Sequence, residues 1–292
     1  FAEEFRRWTG VSLPADRIGE DGGAFGGRLV RLERNRRFTA QGGLEAAARA
    51  VREGDVDGLA AWASNPEVSG SAVRFGGLPP VATLKRALRE PVLEGWRAVS
   101  EAREEAEALR AVERFRVLCA VREGPYGVET LNRLVVEILR EAGLVPGGEW
   151  FAGRQVMVTV NEPSLQVSNG DLGLVWNGPR GLEVLFQGGA RRIPPARLPA
   201  HETAFALTIH KSQGSEFDRV LMVLPAPSAA SDPAFWNGAG RLLTRELVYT
   251  GLTRARQGAE VWAAPGVLER AVGNRAVRVS GLADRLSAGT RP

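Results

Sequence analysis

The chain has 292 residues, 44% hydrophobic and 25% charged, with a formal net charge of +4 and one cysteine. That is the balance of a globular protein with a sizeable core and room for roughly one to three domains. It excludes a disulfide framework, a zinc site built from several cysteines, and a membrane-spanning run of about 20 apolar residues. The chain opens at Phe1 without a charged-then-apolar leader. A fragment or processed chain without a signal peptide is the expectation, and the lone Cys119 fits a reducing cytoplasm. Residues 1–8 read as a helical piece, 19–27 as a Gly-rich loop and 29–32 as a strand that leads into the basic turn Glu33-Arg-Asn-Arg-Arg-Phe38. Residues 43–61 have a helical pattern, broken at 54–57. Val81, Leu84, Leu88, Val92, Trp96 and Val99 recur at steps of three and four, one face of a long helix that Pro91 and Gly95 are expected to interrupt or kink. Residues 101–114, rich in Ala, Glu and Arg, predict a further helix with a solvated face.

Residues 115–121 predict a buried strand that holds Cys119 as a plain thiol. Arg122-Glu-Gly-Pro-Tyr-Gly127 then turns into a helix over 128–142. Free amides at that helix start would suit a phosphate; an ordinary strand-to-helix turn is the other reading. Residues 144–198 change character, with strands expected at 155–160, 173–176, 181–186 and 191–193 and tight turns at Asn169-Gly170, Asn177-Gly178 and Gly188-Gly189. They predict a small antiparallel barrel inserted into an α/β domain. Within it, Leu182-Glu-Val-Leu-Phe-Gln187 reproduces the core of a 3C-protease cleavage sequence; its internal place and strand pattern mark it as coincidence.

Residues 205–220 are the stretch the rest serves. Ala206, Leu207 and Ile209 predict a short buried strand. It breaks into His210, Lys211, Ser212, Gln213, Gly214, Ser215 and Glu216 at the strand end, where open α/β sheets bind ligands. Lysine occurs only at 85 and 211, every other cationic side chain of this kind being arginine. A compact ammonium at 211 suggests a required point charge; chance is the alternative. Phe217 and 220–224 begin the next strand, 225–240 is a long loop, 259–263 a closing strand and 267–271 a short helix.

Thr208-Ile-His-Lys-Ser-Gln-Gly-Ser-Glu-Phe-Asp218 resembles motif V of superfamily 1 DNA helicases, in the form found in the RecD group. Thr244-Arg-Glu-Leu-Val-Tyr-Thr-Gly-Leu-Thr-Arg-Ala-Arg256 resembles motif VI, and 33–38 resembles motif IV with Arg37 as the matching arginine. The resemblance implies an α/β fold: a RecA-like, P-loop-type second motor domain with an inserted SH3-like β-barrel. The implied divisions are the end of a first RecA-like domain (1–30), the second domain (31–143 and 201–292, with a C-terminal tail) and the barrel (144–200). The implied activity is ATP-dependent 5′→3′ DNA unwinding in double-strand-break repair and recombination, on single-stranded DNA and DNA ends, with RecB-like and RecC-like partners.

By the same resemblance, Arg254 is an arginine finger for the γ-phosphate with Arg37 as its partner, and Glu216 and Gly214 attend the nucleotide. Thr208, His210, Lys211, Ser212 and Gln213 contact single-stranded DNA, and Asn169 and Tyr126 lie by its path. The plainer readings are a core histidine at 210, a salt-bridged pair at Arg254 and Arg256, and a hairpin turn at Asn169. The implied cofactors are ATP and Mg²⁺. No phosphate loop and no Asp-Glu pair at a strand end is present. Motifs I–III would precede Phe1, so half an active site is expected, with magnesium held mainly by the missing domain and no metal site in this chain. A stand-alone RecD-like or relaxase-type helicase, and a non-catalytic DNA-binding bridging module, are the alternatives.

Overall fold

Runs of residues that are apolar on both faces, each followed by an amphipathic helix, dictate a buried parallel sheet. The computed structural model describes residues 43–59, 72–179, 181–187, 191–225 and 243–276, all within one compact unit, Phe38–Ala276. Arg37 with the 33–38 stretch, the 1–30 segment, the loop from 226 to 242, the Gly188-Gly189 turn and the tail beyond 276 lie outside the described residues. In chain order the elements are α1 (Gly43–Glu53), β1 (Val73–Gly77), α2 (Val81–Glu101), α3 (Glu105–Ala111), β2 (Phe115–Cys119), α4 (Val128–Glu141), β3 (Gln155–Val158), β4 (Leu172–Gly178), β5 (Gly181–Phe186), β6 (Arg192–Ile193), β7 (His201–Thr203), β8 (Ala206–Thr208), β9 (Phe217–Leu224), α5 (Arg245–Leu252), β10 (Ala255–Ala263) and α6 (Val267–Gly273).

The parallel sheet has the order β1-β10-β9-β2-β8. Alternation sends Val117, Cys119, Leu221 and Val223 to one face and Leu118, Val220, Met222 and Leu224 to the other. The first face is covered by α2, α3 and α4, the second by α1, α5 and α6. In α2 the residues Leu84, Leu88, Val92, Trp96 and Val99 are buried, as read from the sequence, whereas Val81 at the helix start is exposed. The helix nevertheless runs unbroken through Pro91 and Gly95. Gly95 serves a close approach instead: a Cβ there would stand 2.5 Å from the Phe115 ring on β2.

Residues 155–203 form a second sheet, antiparallel, in the order β6-β5-β4-β3-β7. Its own core is Val156, Val158, Val167, Val175, Val184, Phe186 and Ile193. The alternate residues Met157 and Leu174 join the two cores of the parallel-sheet body, so one face of the insert is continuous with the body. Among the described residues no pairing joins β6 to β7. The 3C-like run is strand β5, paired to β4 and β6.

Arg116, the second residue of β2 and fully buried, fastens both chain crossings of the insert. Its Nη1 donates to Gln155 Oε1 at 2.5 Å and to the Ala204 carbonyl, and Nη2 donates to the Val112 carbonyl at 3.4 Å. Its guanidinium carbon stands 4.7 Å from the centroid of the Phe217 ring. Burial pulls the guanidinium pKa down to about 9, so it still carries its charge at neutral pH. Asn132 of α4 secures the return crossing, donating to the Thr203 and Ala206 carbonyls at 2.8 and 3.0 Å and accepting from the Ala206 amide at 2.8 Å.

Candidate functional site

Strand register separates the two ends of the stretch from 208 to 217. Thr208 pairs with Cys119, which pairs with Val223, at the carboxyl ends of the strands. Phe217 pairs with Ala255 at the amino ends. Six residue steps of strand separate Phe217 from Val223, about 20 Å of sheet. Residues 209–216 therefore carry the chain from one end of the sheet to the other.

At the carboxyl ends the turn is built from its own hydrogen bonds. Ile209 donates its amide to the Cys119 carbonyl at 3.0 Å, continuing the β2–β8 pairing. Thr208 accepts the Lys211 amide on Oγ1 at 3.2 Å and the Ser212 amide on its carbonyl at 3.1 Å. Ser212 is completely buried and its hydroxyl donates to the Ile209 carbonyl at 2.7 Å. Expected on DNA, Ser212 instead shapes the turn, because its one donor is already spent inside the protein. His210 and Gln213 are exposed, so His210 is no core histidine. The Lys211 ammonium lies 2.9 Å from Glu202 Oε1, and Arg122 Nη1 lies 3.1 Å from Glu202 Oε2.

The turn after β2 stands beside this end. Gly127 permits a tight fold-back, since a Cβ there would meet the Glu123 carbonyl oxygen at 2.4 Å. The Val128 and Glu129 amides donate to the Val121 and Arg122 carbonyls, each at 3.3 Å. Those helix-start amides are thus engaged, and the reading of a free phosphate cradle there gives way to a closed strand-to-helix turn. Tyr126 donates its hydroxyl to the Pro79 carbonyl at 2.8 Å and ties the turn to the approach of α2.

At the amino ends Gly214 takes a left-handed φ of +89° and lets the chain reverse. Arg254, just after α5, donates Nη1 to the Ser215 carbonyl at 3.1 Å, Nε to the Thr250 carbonyl at 3.1 Å and Nη2 to Thr253 Oγ1 at 3.4 Å. Arg256 faces three carboxylates: Glu113 at 2.9 Å, Glu216 at 3.4 Å and Asp218 at 3.6 Å. The hydrogen bond that Arg256 donates to Glu113 leads in raising the Arg256 pKa above its ordinary value. The salt-bridged reading therefore holds for Arg256. A cavity of about 350 Å³ opens here, lined by Gly214, Ser215, Glu216, Arg256, Arg116 and Asp171 among others.

The insert's turn meets this second end. Asn169 is exposed and its amide donates to Asn161 Oδ1 at 2.8 Å. Its neighbours Gly170 and Asp171 line the cavity with Gly214–Glu216, not the carboxyl end that holds Lys211. Asp171 accepts the Ser168 amide at 3.1 Å and pairs with Arg191 at 2.9 Å. Sequence reading overlooked Glu202, Arg122 and Arg116. Arg116 had one signal, a charged residue within a strand expected to be buried. Glu202 lies on the three-residue strand β7, whose polar His-Glu-Thr has no apolar alternation.

Known proteins place this arrangement in a class. Residues 203–261 match the family model described as the UvrD-like helicase C-terminal domain. That span contains both segments joined by Arg254 and Ser215. The chain is, more particularly, a homologue of the RecD subunits of RecBCD enzymes. It is 37% identical over 242 residues to the RecBCD enzyme subunit RecD of Mycobacterium tuberculosis (strain CDC 1551 / Oshkosh), covering 82% of this chain and 40% of that protein. It is 37% identical over 146 residues to the ATP-dependent RecD2 DNA helicase of Deinococcus radiodurans, covering 48% of this chain and 19% of that protein. The chain thus spans well under half the length of these relatives. Among solved structures, the Pif1 helicase from Bacteroides in complex with ADP-AlF3 and ssDNA aligns over 89% of this chain and 56% of that one, at 16% identity and a TM-score of 0.41.

Proposed function

We propose that this chain is the C-terminal motor portion of a RecD-like, ATP-dependent 5′→3′ DNA helicase that moves on single-stranded DNA in double-strand-break repair and recombination. Its setting is a cytoplasmic RecBCD-type helicase–nuclease with RecB-like and RecC-like subunits. The carrying observation is the hydrogen bond from Arg254 to the Ser215 carbonyl, which joins the motif VI-like segment to the motif V-like one at the amino end of the sheet. The exposed polar residues of the same motif V-like segment stand at the opposite end. The second motor domain is 31–143 with 201–292 and the residues 1–30 end the first; the antiparallel sheet, whose last strand β7 runs past the expected boundary at 200 to Thr203, is the family's SH3-like barrel.

ATP, with Mg²⁺, supplies the phosphoryl group whose transfer to water drives the motor. The donor set here fits the nucleotide's phosphates: a partly buried guanidinium at 254, whose planar fork matches phosphate oxygens. Arg254 supplies positive charge where negative charge grows, with Arg37 as its partner. Gly214 shapes the loop and Glu216 accepts hydrogen bonds from the nucleotide. By the same family resemblance, magnesium is held mainly by the first motor domain. Thr208, His210, Lys211 and Gln213 grip the DNA backbone without reading bases, and Ser212 keeps their turn in shape. Tyr126 acts on the DNA path by holding its turn, while Asn169 belongs to a turn whose Gly170 and Asp171 line the cavity at the amino end.

A stand-alone helicase is the second reading, supported by the 37% identity to the Deinococcus radiodurans protein. The test is unwinding by the full-length protein of duplexes carrying a 5′ or a 3′ single-stranded tail, with and without candidate partner subunits. ATP-dependent opening of the 5′-tailed duplex is expected. Opening by the protein alone selects the stand-alone reading. DNA binding with neither unwinding nor ATP hydrolysis makes it a bridging module.

A further inference from the structure

Among the described residues of the insert, Glu202 alone reaches across to the motif V-like turn and to the turn after β2 together. Its Oε1 holds the Lys211 ammonium at 2.9 Å and its Oε2 holds Arg122 Nη1 at 3.1 Å. The Glu202 side chain is 18% exposed, against 34% for Lys211 and 51% for Arg122, so the carboxylate lies deeper and the two cations lie outward. Arg122 also meets Glu129, at 3.3 Å through Nε. The two cations follow adjacent strands: Cys119 and Thr208 are register partners, and Arg122 and Lys211 come three residues after each. Two cations from neighbouring strand ends, converging on the two oxygens of one carboxylate, make a receptor for any anion with two such oxygens. A phosphodiester presents two non-bridging oxygens with much the same span, and guanidinium groups accept carboxylate and phosphate in the same forked geometry.

We propose that Lys211 and Arg122 form a single binding site for one backbone phosphate of single-stranded DNA, and that Glu202 occupies it until DNA arrives. The inference rests on the helicase reading above and extends it to two residues outside the helicase motifs. Glu202 keeps the two cations in register while DNA is absent. The incoming phosphate displaces it, and the freed carboxylate is then repelled by the strand. Because Glu202 stands on β7, arrival of DNA loosens an edge strand of the insert. The exchange also makes binding weaker and less salt-dependent than two unpaired cations would, since the freed carboxylate takes up a counterion.

The test uses the full-length protein and a fluorescent oligo-dT, with affinity measured by anisotropy over a range of salt concentrations. Glu202→Gln keeps the shape and removes the competing charge. It should tighten binding about fivefold, the scale of a partly exposed ion pair, and steepen the salt dependence. Arg122→Ala should weaken binding and make the slope of log K against log salt shallower by about 0.7. Glu202→Ala, which also lacks the charge, should follow Glu202→Gln. Unchanged or weaker binding by both Glu202 variants overturns the proposal, as does an Arg122→Ala protein with wild-type affinity and slope. Lys211→Ala separates the two levels. If it weakens binding while Glu202 and Arg122 changes do nothing, the helicase reading stands and the shared site falls. If Lys211→Ala has no effect, the DNA role of the turn falls with it.

Discussion

The two ends of residues 209–216 are built differently. At the carboxyl end the chain is exposed at His210 and Gln213, and its cation Lys211 is paired with a carboxylate of the insert. At the amino end the chain folds against motif VI, with Arg254 bonded to its backbone and Arg256 set among three carboxylates. One end suits a long anionic polymer that comes and goes. The other suits charge held in fixed geometry. Both are parts of one eight-residue connection, so a shift at either end pulls on the other through the backbone. That is the physical content of the coupling we propose for this domain: a short tether, fixed on a rigid sheet, that would meet DNA at one end and nucleotide at the other.

The largest effect that would sharpen the contrast belongs to the amino end. Arg254→Ala in the full-length protein should lower DNA-stimulated ATP turnover by about 10³-fold, the scale of other arginine fingers, with the melting temperature retained. Turnover near wild type would break the assignment of that end. Next comes the joint between insert and body. Arg116→Met strips the Gln155 and Ala204 oxygens of their donor and should cost about 3–5 kcal/mol in denaturant unfolding, the scale of breaking a buried charged network. A neutral or stabilising result would show that the site tolerates an apolar replacement. At the carboxyl end, Lys211→Ala should weaken single-stranded DNA binding about tenfold at moderate salt and flatten its salt dependence by about 0.7 of a slope unit. Unaltered affinity would remove DNA from that end. The smallest effect lies in the turn at the amino end. Gly214 has no neighbour within 4 Å of an added Cβ, so Gly214→Ala strains only the backbone, by about 1–2 kcal/mol. A larger loss would mean that the turn also packs.

Much of the body could be read in advance because its residues obey one period at a time. The buried face of α2 and the limits of β5 emerged from spacing alone. Strand β1 went unread because Val-Arg-Phe-Gly-Gly is short and ends in two glycines, which resembles a turn. The expected break at Pro91 and Gly95 failed because packing against β2 outweighs local propensity there. Cys119 is the buried thiol that its apolar run suggested, and burial pushes its pKa up. The site was legible where residues are contiguous, as in 208–218 and 244–256. It was illegible where the proposed site depends on meetings across the sheet. Glu202 stands nine residues before Lys211 and eighty after Arg122, and only the return of the insert to the body brings the three together.

The most direct test measures two quantities on two variants of the full-length protein, Arg254→Ala and Lys211→Ala: affinity for single-stranded DNA without nucleotide, and ATP turnover at saturating DNA. The account predicts that Arg254→Ala loses turnover and keeps its affinity, while Lys211→Ala loses affinity and falls far less in turnover once DNA is saturating. Equal loss of both quantities in both variants, with folding intact, would contradict the division of this segment into a DNA end and a nucleotide end.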